Sequence, residues 1–190
     1  VYSMAERPGV DFTPGAIETT GRELDVALRT DGFLAIQDAQ GTEAYTRAGN
    51  LRIDGGGRLV TAEGHVVLGE RGPIAIPPAD KLDIAGDGTI SIKPLGETST
   101  IALDRIRLVR PAAGDLMKGD DGLLRSKSGA AAPPDAGVQL VQGALEGSNV
   151  NTADALVSMI ELARRYETQV KLMSAADDTA RSTDRLMSLS

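Results

Sequence analysis

From Thr152 to Met187 no glycine or proline interrupts the chain, and within that run Leu156, Met159, Ala163, Tyr166, Val170 and Met173 recur at alternating steps of three and four residues. That spacing is the seam along which two helices wind together. At 1.5 Å per residue a helix over this stretch is roughly 50 Å long, well beyond the usual length of a helix in a globular domain. An apolar stripe at helical spacing most often covers its own domain's core. Here the length argues for assembly instead, because a helix of about ten turns outruns a small β unit. Nothing else in the sequence reads as a long helix, so the partner is another copy of the molecule or a segment outside this sequence. Asn151 fits as the N-cap, with Asp154 at the third helical position, where a carboxylate meets the free amides and the positive end of the helix dipole. Beyond Met173 a strict register places Asp177 and Asp184 in the seam. A step of three to Ala176, then Ala180, Thr183 and Met187, keeps a narrow small-residue face and implies a local change of supercoil.

Upstream the pattern is different. From Leu24 onward short apolar runs are cut by glycine turns: FLAIQ, AYTRA, LRID followed by GGG, HVVLG, PIAIPP, KLDIA followed by GDG, TISIK, TIAL and RIRLV. Leu51 with Ile53, Leu82 with Ile84, Ile90 with Ile92, Ile101 with Leu103 and Ile106 with Leu108 alternate at period two, which predicts strands with one buried and one wet face. About ten such strands joined by connections too short for helical crossovers predict an antiparallel β-sandwich or partly open barrel. The fold class is therefore mainly β with one long C-terminal α-helix of coiled-coil type. The expected organisation is an extended connector over 1–22, a β-rich domain over 23–137 ending in a long loop over 110–137, a returning extended connector over 138–150, and the helix over 151–190.

Composition removes several function classes. The formal charge is −7 and the basic residues are scattered, which works against nucleic acid, since phosphate contacts need clustered Lys and Arg. Aromatics are 3% with no tryptophan, too few to line a base-stacking surface. There is no cysteine for disulfides or thiolate chemistry. No apolar run is long enough to span a membrane, and VYSMAERPGVD has neither the basic start nor the apolar centre of a signal peptide. The first residue is not Met, so a fragment or processed product is expected.

Catalysis has no foothold. His65 is the single histidine; with no second one to complete a metal site, it reads as a turn or strand residue. Asp54, Asp87, Asp120 and Asp121 all lie in glycine turns, where a carboxylate that caps its own turn is the simple reading. The sequences GDG and GDDG lack the spaced acidic ladder of a calcium loop, and no phosphate-binding glycine loop, nucleophile elbow or serine–lysine dyad occurs. No catalytic, cofactor-binding or metal-ligating residue is expected.

Two long blocks carry a family resemblance. LEGSNVNTADALVSMIELARRYETQVK resembles the C-terminal signature of the bacterial flagellar rod and hook family of axial proteins. TTGRELDVALRTDGFLAIQ followed by EAYTRAGNLRIDGGGRLVTAEGHVVLG resembles the segment where that family's connector enters its β domain. The GDDGLLR run and ARRYETQVK are most similar to the proximal rod members.

The resemblance implies a structural protein and not an enzyme. Its helices would pair in an axial core, with the β domain outside. It would be exported by the flagellar type III apparatus without a cleaved signal, and would polymerise with itself and other rod proteins into the periplasm-crossing drive shaft of the basal body. Asn149 and Asn151 match the turn that starts the C-terminal helix. Leu156, Met159, Ile160, Ala163, Tyr166 and Val170 match positions facing the paired helix or neighbouring subunits, and Met173 continues that face. The family's N-terminal helix has no counterpart in this sequence, so the seam is expected to be half of a coiled coil. The rival class is a secreted binding module whose helix serves only as an oligomerisation stalk.

Overall fold

In the computed structural model, which describes residues 11–187 with side-chain surroundings up to residue 176, the short apolar runs become short strands. In chain order these are β1 (Ile17–Thr19), β2 (Val26–Leu28), β3 (Phe33–Gln37), β4 (Glu43–Thr46), β5 (Leu51–Ile53), β6 (Leu59–Thr61), β7 (Val66–Gly69), β8 (Gly72–Pro73), β9 (Ala79–Ile84), β10 (Thr89–Pro94), β11 (Ile101–Arg105), β12 (Leu108–Val109), β13 (Leu116–Lys118), β14 (Leu124–Ser126), β15 (Leu140–Gln142) and β16 (Ala144–Glu146); the helix α1 follows over Thr152–Met187. The chain divides into two units between Asn149 and Val150.

The β unit is antiparallel throughout its described pairings, as its short connections require. Its largest sheet runs β13-β14-β4-β3-β7-β6-β5, with β12 also paired to β3 and β8 to β7. A second sheet runs β11-β10-β9, and two ribbons pair β15 with β2 and β1 with β16. The result is several sheets around a shared core, not a closed barrel. Strand β3 shows why. Leu34 and Ile36 point into a large core with Leu59, Val67, Ile90 and Ile106, whereas Phe33 and Ala35 point the other way into a smaller one with Tyr45, Val109, Leu116 and Leu124. A central strand covered on both faces reads as a continuous apolar run, and FLAIQ is that run.

Period-two alternation marks the buried face at Leu82 with Ile84, Ile90 with Ile92, and Ile106 with Leu108, all in the large core. It fails at Ile53 and Ile101, both exposed. Ile53 ends β5, the last strand of its sheet, and Ile101 begins β11, also an edge strand; at these strand ends there is no facing layer to cover them.

Two further expectations are corrected. About ten strands were legible, whereas sixteen are present among the described residues, because strands of two or three residues are too short to show a period. Residues 110–137, read as a long loop, contain a 3-10 turn at Ala113–Asp115 and the hairpin β13–β14. Leu116 and Leu124 of that hairpin are buried. The rest of the segment is tied down by side chains: the buried Tyr45 hydroxyl accepts the Ala132 N–H at 2.8 Å and donates to Glu43 at 3.0 Å. Arg107 donates to the Ala132 carbonyl at 2.8 Å while lying 3.1 Å from Glu43. Burial pushes the Tyr45 hydroxyl above its ordinary pKa, so it stays protonated and able to donate.

Close backbone approach selects one glycine in the TRAGN turn. A Cβ on Gly49 would fall 1.7 Å from the Val26 carbonyl oxygen, so any side chain there forces β2 away from the turn that feeds β5. The Val26 N–H bonds the Gly49 carbonyl at 2.9 Å across the same approach. Downstream, β15 pairs with β2 through Leu140↔Leu28 and Gln142↔Val26. Val138 and Leu140 thereby enter the large core, and the returning chain contributes to the β unit's stability.

Candidate assembly surface

Helix α1 begins where the sequence offers a cap. The Asn151 Oδ1 accepts the Ala153 N–H at 3.0 Å and its Nδ2 donates to the Asp154 carboxylate at 2.8 Å. Its carbonyl accepts the Ala155 N–H at 3.0 Å as the first helical bond. One free amide is satisfied, and a carboxylate is fixed in the first turn, where the helix dipole favours it. The helix then continues for 36 residues without a break.

Among the described residues every seam side chain on α1 is exposed. Leu156, Met159, Ile160, Tyr166, Val170 and Met173 have between 41% and 68% of their surface in solvent, and Ala163 is exposed with them. Residues seven apart on a straight α-helix drift by about 20° per heptad. The line from Leu156 through Ala163 to Val170 therefore slants across the cylinder, parallel to the one from Met159 through Tyr166 to Met173. A partner following the line must wind left-handedly around the helix. The continuation of the seam through Ala180, Thr183 and Met187, or through Asp177 and Asp184, concerns side chains outside the described residues.

Three exposed apolar side chains on α1 fall outside the predicted set: Val157, Leu162 and Leu172. Leu162 borders the seam, but Val157 and Leu172 lie on other faces at 100° per residue. Heptad counting passes over them because it scores a single line. The helix thus offers apolar contacts on more than one side.

Asn149 lies at the exit of the β unit and not on the helix. Its Nδ2 donates to the Thr13 carbonyl at 3.0 Å and reaches the Asp11 carbonyl at 3.5 Å, tying the leaving chain to the entering one beside the β1–β16 ribbon.

The remaining polar candidates serve turns. Asp54 accepts the Gly56 and Arg58 amides, Asp87 that of Thr89 and Asp121 that of Leu123. Each carboxyl is held below its ordinary pKa: Asp54 chiefly by the Arg58 amide, Asp87 by the Thr89 amide, and Asp121, at about 2, by the Arg125 guanidinium. Asp38, largely buried beside Arg125 at 2.7 Å, is lowered by that same guanidinium against the opposing effect of burial. These groups are ionised at neutral pH and already engaged. His65 lies in the β6–β7 hairpin turn, its amide on Thr61 Oγ1 and its carbonyl on the Thr61 N–H. Among the described residues no three acidic, His or Cys side chains cluster as a metal site, and no helix is long and apolar enough to cross a membrane.

Residues 141–186 match the flagellar basal-body rod FlgEFG C-terminal family, and residues 27–92 match the D1 domain of the flagellar hook proteins FlgE, FlgF and FlgG. The flagellar basal-body rod protein FlgF of Escherichia coli is 43% identical over 98% of this chain and 77% of its own length. The chain belongs to the flagellar basal-body rod protein family. FlgF of Salmonella typhimurium is 41% identical over the same shares, and the rod protein FlgG of Bacillus subtilis is 38% identical over 86% of this chain and 65% of its own. The C-terminal family match begins within β15 and runs through α1 nearly to its end.

Proposed function

We propose that this chain is a structural subunit of the proximal flagellar rod, joined to copies of itself and to other rod proteins through α1, and that its action is mechanical with no catalysed reaction. The observation that carries the reading is the unbroken exposure of the seam from Leu156 to Met173 in a chain whose relatives are named rod proteins. An apolar line of this length in water is stabilised by covering it, at about 1.5–3 kcal/mol for each large side chain buried. Val157 and Leu172, off the seam, supply contacts for further neighbours, as a subunit inside a polymer requires. A mechanical role is supported by Asp38, Asp54, Asp87 and Asp121, which are committed to turns and to arginines.

The family resemblance supports a place in the periplasm-crossing part of the basal body and export by the flagellar type III apparatus without a cleaved signal. The net charge of −7 and the absence of a membrane-spanning helix among the described residues agree with partners that are protein and not nucleic acid or lipid. The test is removal of residues 151–190 from the chromosomal copy. Basal bodies purified from such cells should lack the subunit and the cells should be non-motile. Motile cells with assembled rods would overturn the reading.

A further inference from the structure

The β1–β16 ribbon is held by something other than its own strands. It has three residue pairs, Ile17↔Glu146, Glu18↔Leu145 and Thr19↔Ala144, and all three residues of β1 are exposed. On β16 only Ala144 is buried, with Leu145 and Glu146 half-buried, and a two-stranded ribbon with so little buried face is marginal in water. Glu146 supplies what the ribbon lacks. Its Oε1 accepts the Gly15 N–H at 2.9 Å, and its two oxygens take Arg47 Nε at 3.1 and 2.9 Å, with Arg47 Nη2 2.8 Å from Oε2. Arg47 also donates through Nη1 to the Gly32 carbonyl at 3.1 Å and lies over the Phe33 ring, 5.8 Å from its centre. Phe12 meets that ring edge-on at 5.8 Å. Only 18% of the Arg47 side chain and 8% of the Glu146 side chain are exposed. One carboxylate therefore joins the entering chain, the leaving chain and the β3–β4 region. The approach is tight: a Cβ on Gly15 would fall 1.9 Å from the Gly147 carbonyl oxygen.

We infer that the Arg47–Glu146 pair is a lock that fastens the β1–β16 ribbon to the β unit, so that this junction is a rigid joint and not a hinge. A planar guanidinium whose Nε donates to both oxygens of one carboxylate, with Nη2 at ion-pair distance, fixes direction as well as distance, and a buried pair sets geometry more than it adds stability. That the joint carries load rests on the rod-subunit reading: the leaving strand continues into α1, so force between the assembly helix and the β unit passes along it.

Amide hydrogen exchange on the whole purified chain tests the lock independently of rod assembly. The probes are the Gly15 amide on Glu146, the Gly147 amide on the Ala16 carbonyl and the Thr20 amide on the Gly143 carbonyl. The references are the Ala35 and Leu59 amides in the core sheet. Glu146→Gln keeps an acceptor for Gly15 and removes the charge; Arg47→Lys keeps the charge and removes the planar Nε donor. Both should speed exchange at the probes by about tenfold or more while leaving the references within about twofold, the signature of local opening. Probes unchanged in either variant, or probes and references accelerated together, would overturn the lock. Normal motility with these exchange changes present would bear on the rod reading alone.

Discussion

Ile36 on β3 and Ile160 on α1 are the same side chain in opposite circumstances: the first has none of its surface in solvent and the second has 48%. Around Ile36 the chain supplies its own cover from strands distant in sequence. Around Ile160 it supplies a line of similar side chains along one helix, all of them exposed among the described residues. The β unit covers its own apolar core, whereas α1 leaves its seam exposed, so the same apolar chemistry stabilises a fold in one region and, in the reading proposed above, serves assembly in the other.

The sharpest way to break this contrast is to place a charge in the seam. Val170→Asp should exclude the protein from purified basal bodies and abolish swimming while the β unit keeps its melting temperature; normal swimming would mean the seam is not an interface. Truncating the buried counterpart reverses the pattern. Ile36→Ala should cost the β unit about 2–5 kcal/mol, by the measured range for large apolar to alanine changes in cores, read as a lower denaturation midpoint with α1 helicity unchanged. At the helix start, Asn151→Ala removes one cap and should cost about 1 kcal/mol of helix stability, seen as fraying of the first turn by circular dichroism or amide exchange.

Acid tests the β unit through Asp121. Asp121 has its pKa lowered from 3.8 to about 2 by Arg125 and by the Leu123 amide. The folded form therefore holds fewer protons than the unfolded one in this window, and stability rises with pH. Its contribution is complete above pH 4 and is lost as pH falls towards 2, so Asp121→Asn should flatten the fall in melting temperature over that interval. The smallest effect belongs to Leu156→Ala in the isolated chain. An exposed side chain contributes within about 0.5 kcal/mol, and a larger loss would show that the seam is already covered.

Legibility in the sequence followed the range of the interactions involved. The helix reads from Thr152 to Met187 because its hydrogen bonds and its cap connect residues four or fewer positions apart. The six-residue strands β9 and β10 read because Leu82, Ile84, Ile90 and Ile92 repeat often enough to define a face. Ile53 and Ile101 read equally well and are exposed, since alternation marks a face without saying whether another layer lies over it. The hairpin β13–β14 was hidden by strands too short to alternate. The Arg47–Glu146 pair left no local sign, its partners being 99 residues apart.

What the sequence determined by itself is the material: a long capped helix with an apolar line, short strands punctuated by glycine, carboxylates in turns, and the two blocks by which its family is known. These depend on propensity, periodicity and turn chemistry, which act between near neighbours. Only the tertiary structure decided which apolar faces are covered, how β3 comes to have a core on each side, and how Glu146 gathers Gly15 and Arg47 into one joint. Those outcomes depend on distant segments meeting, and burial is a property of the meeting and not of either segment alone.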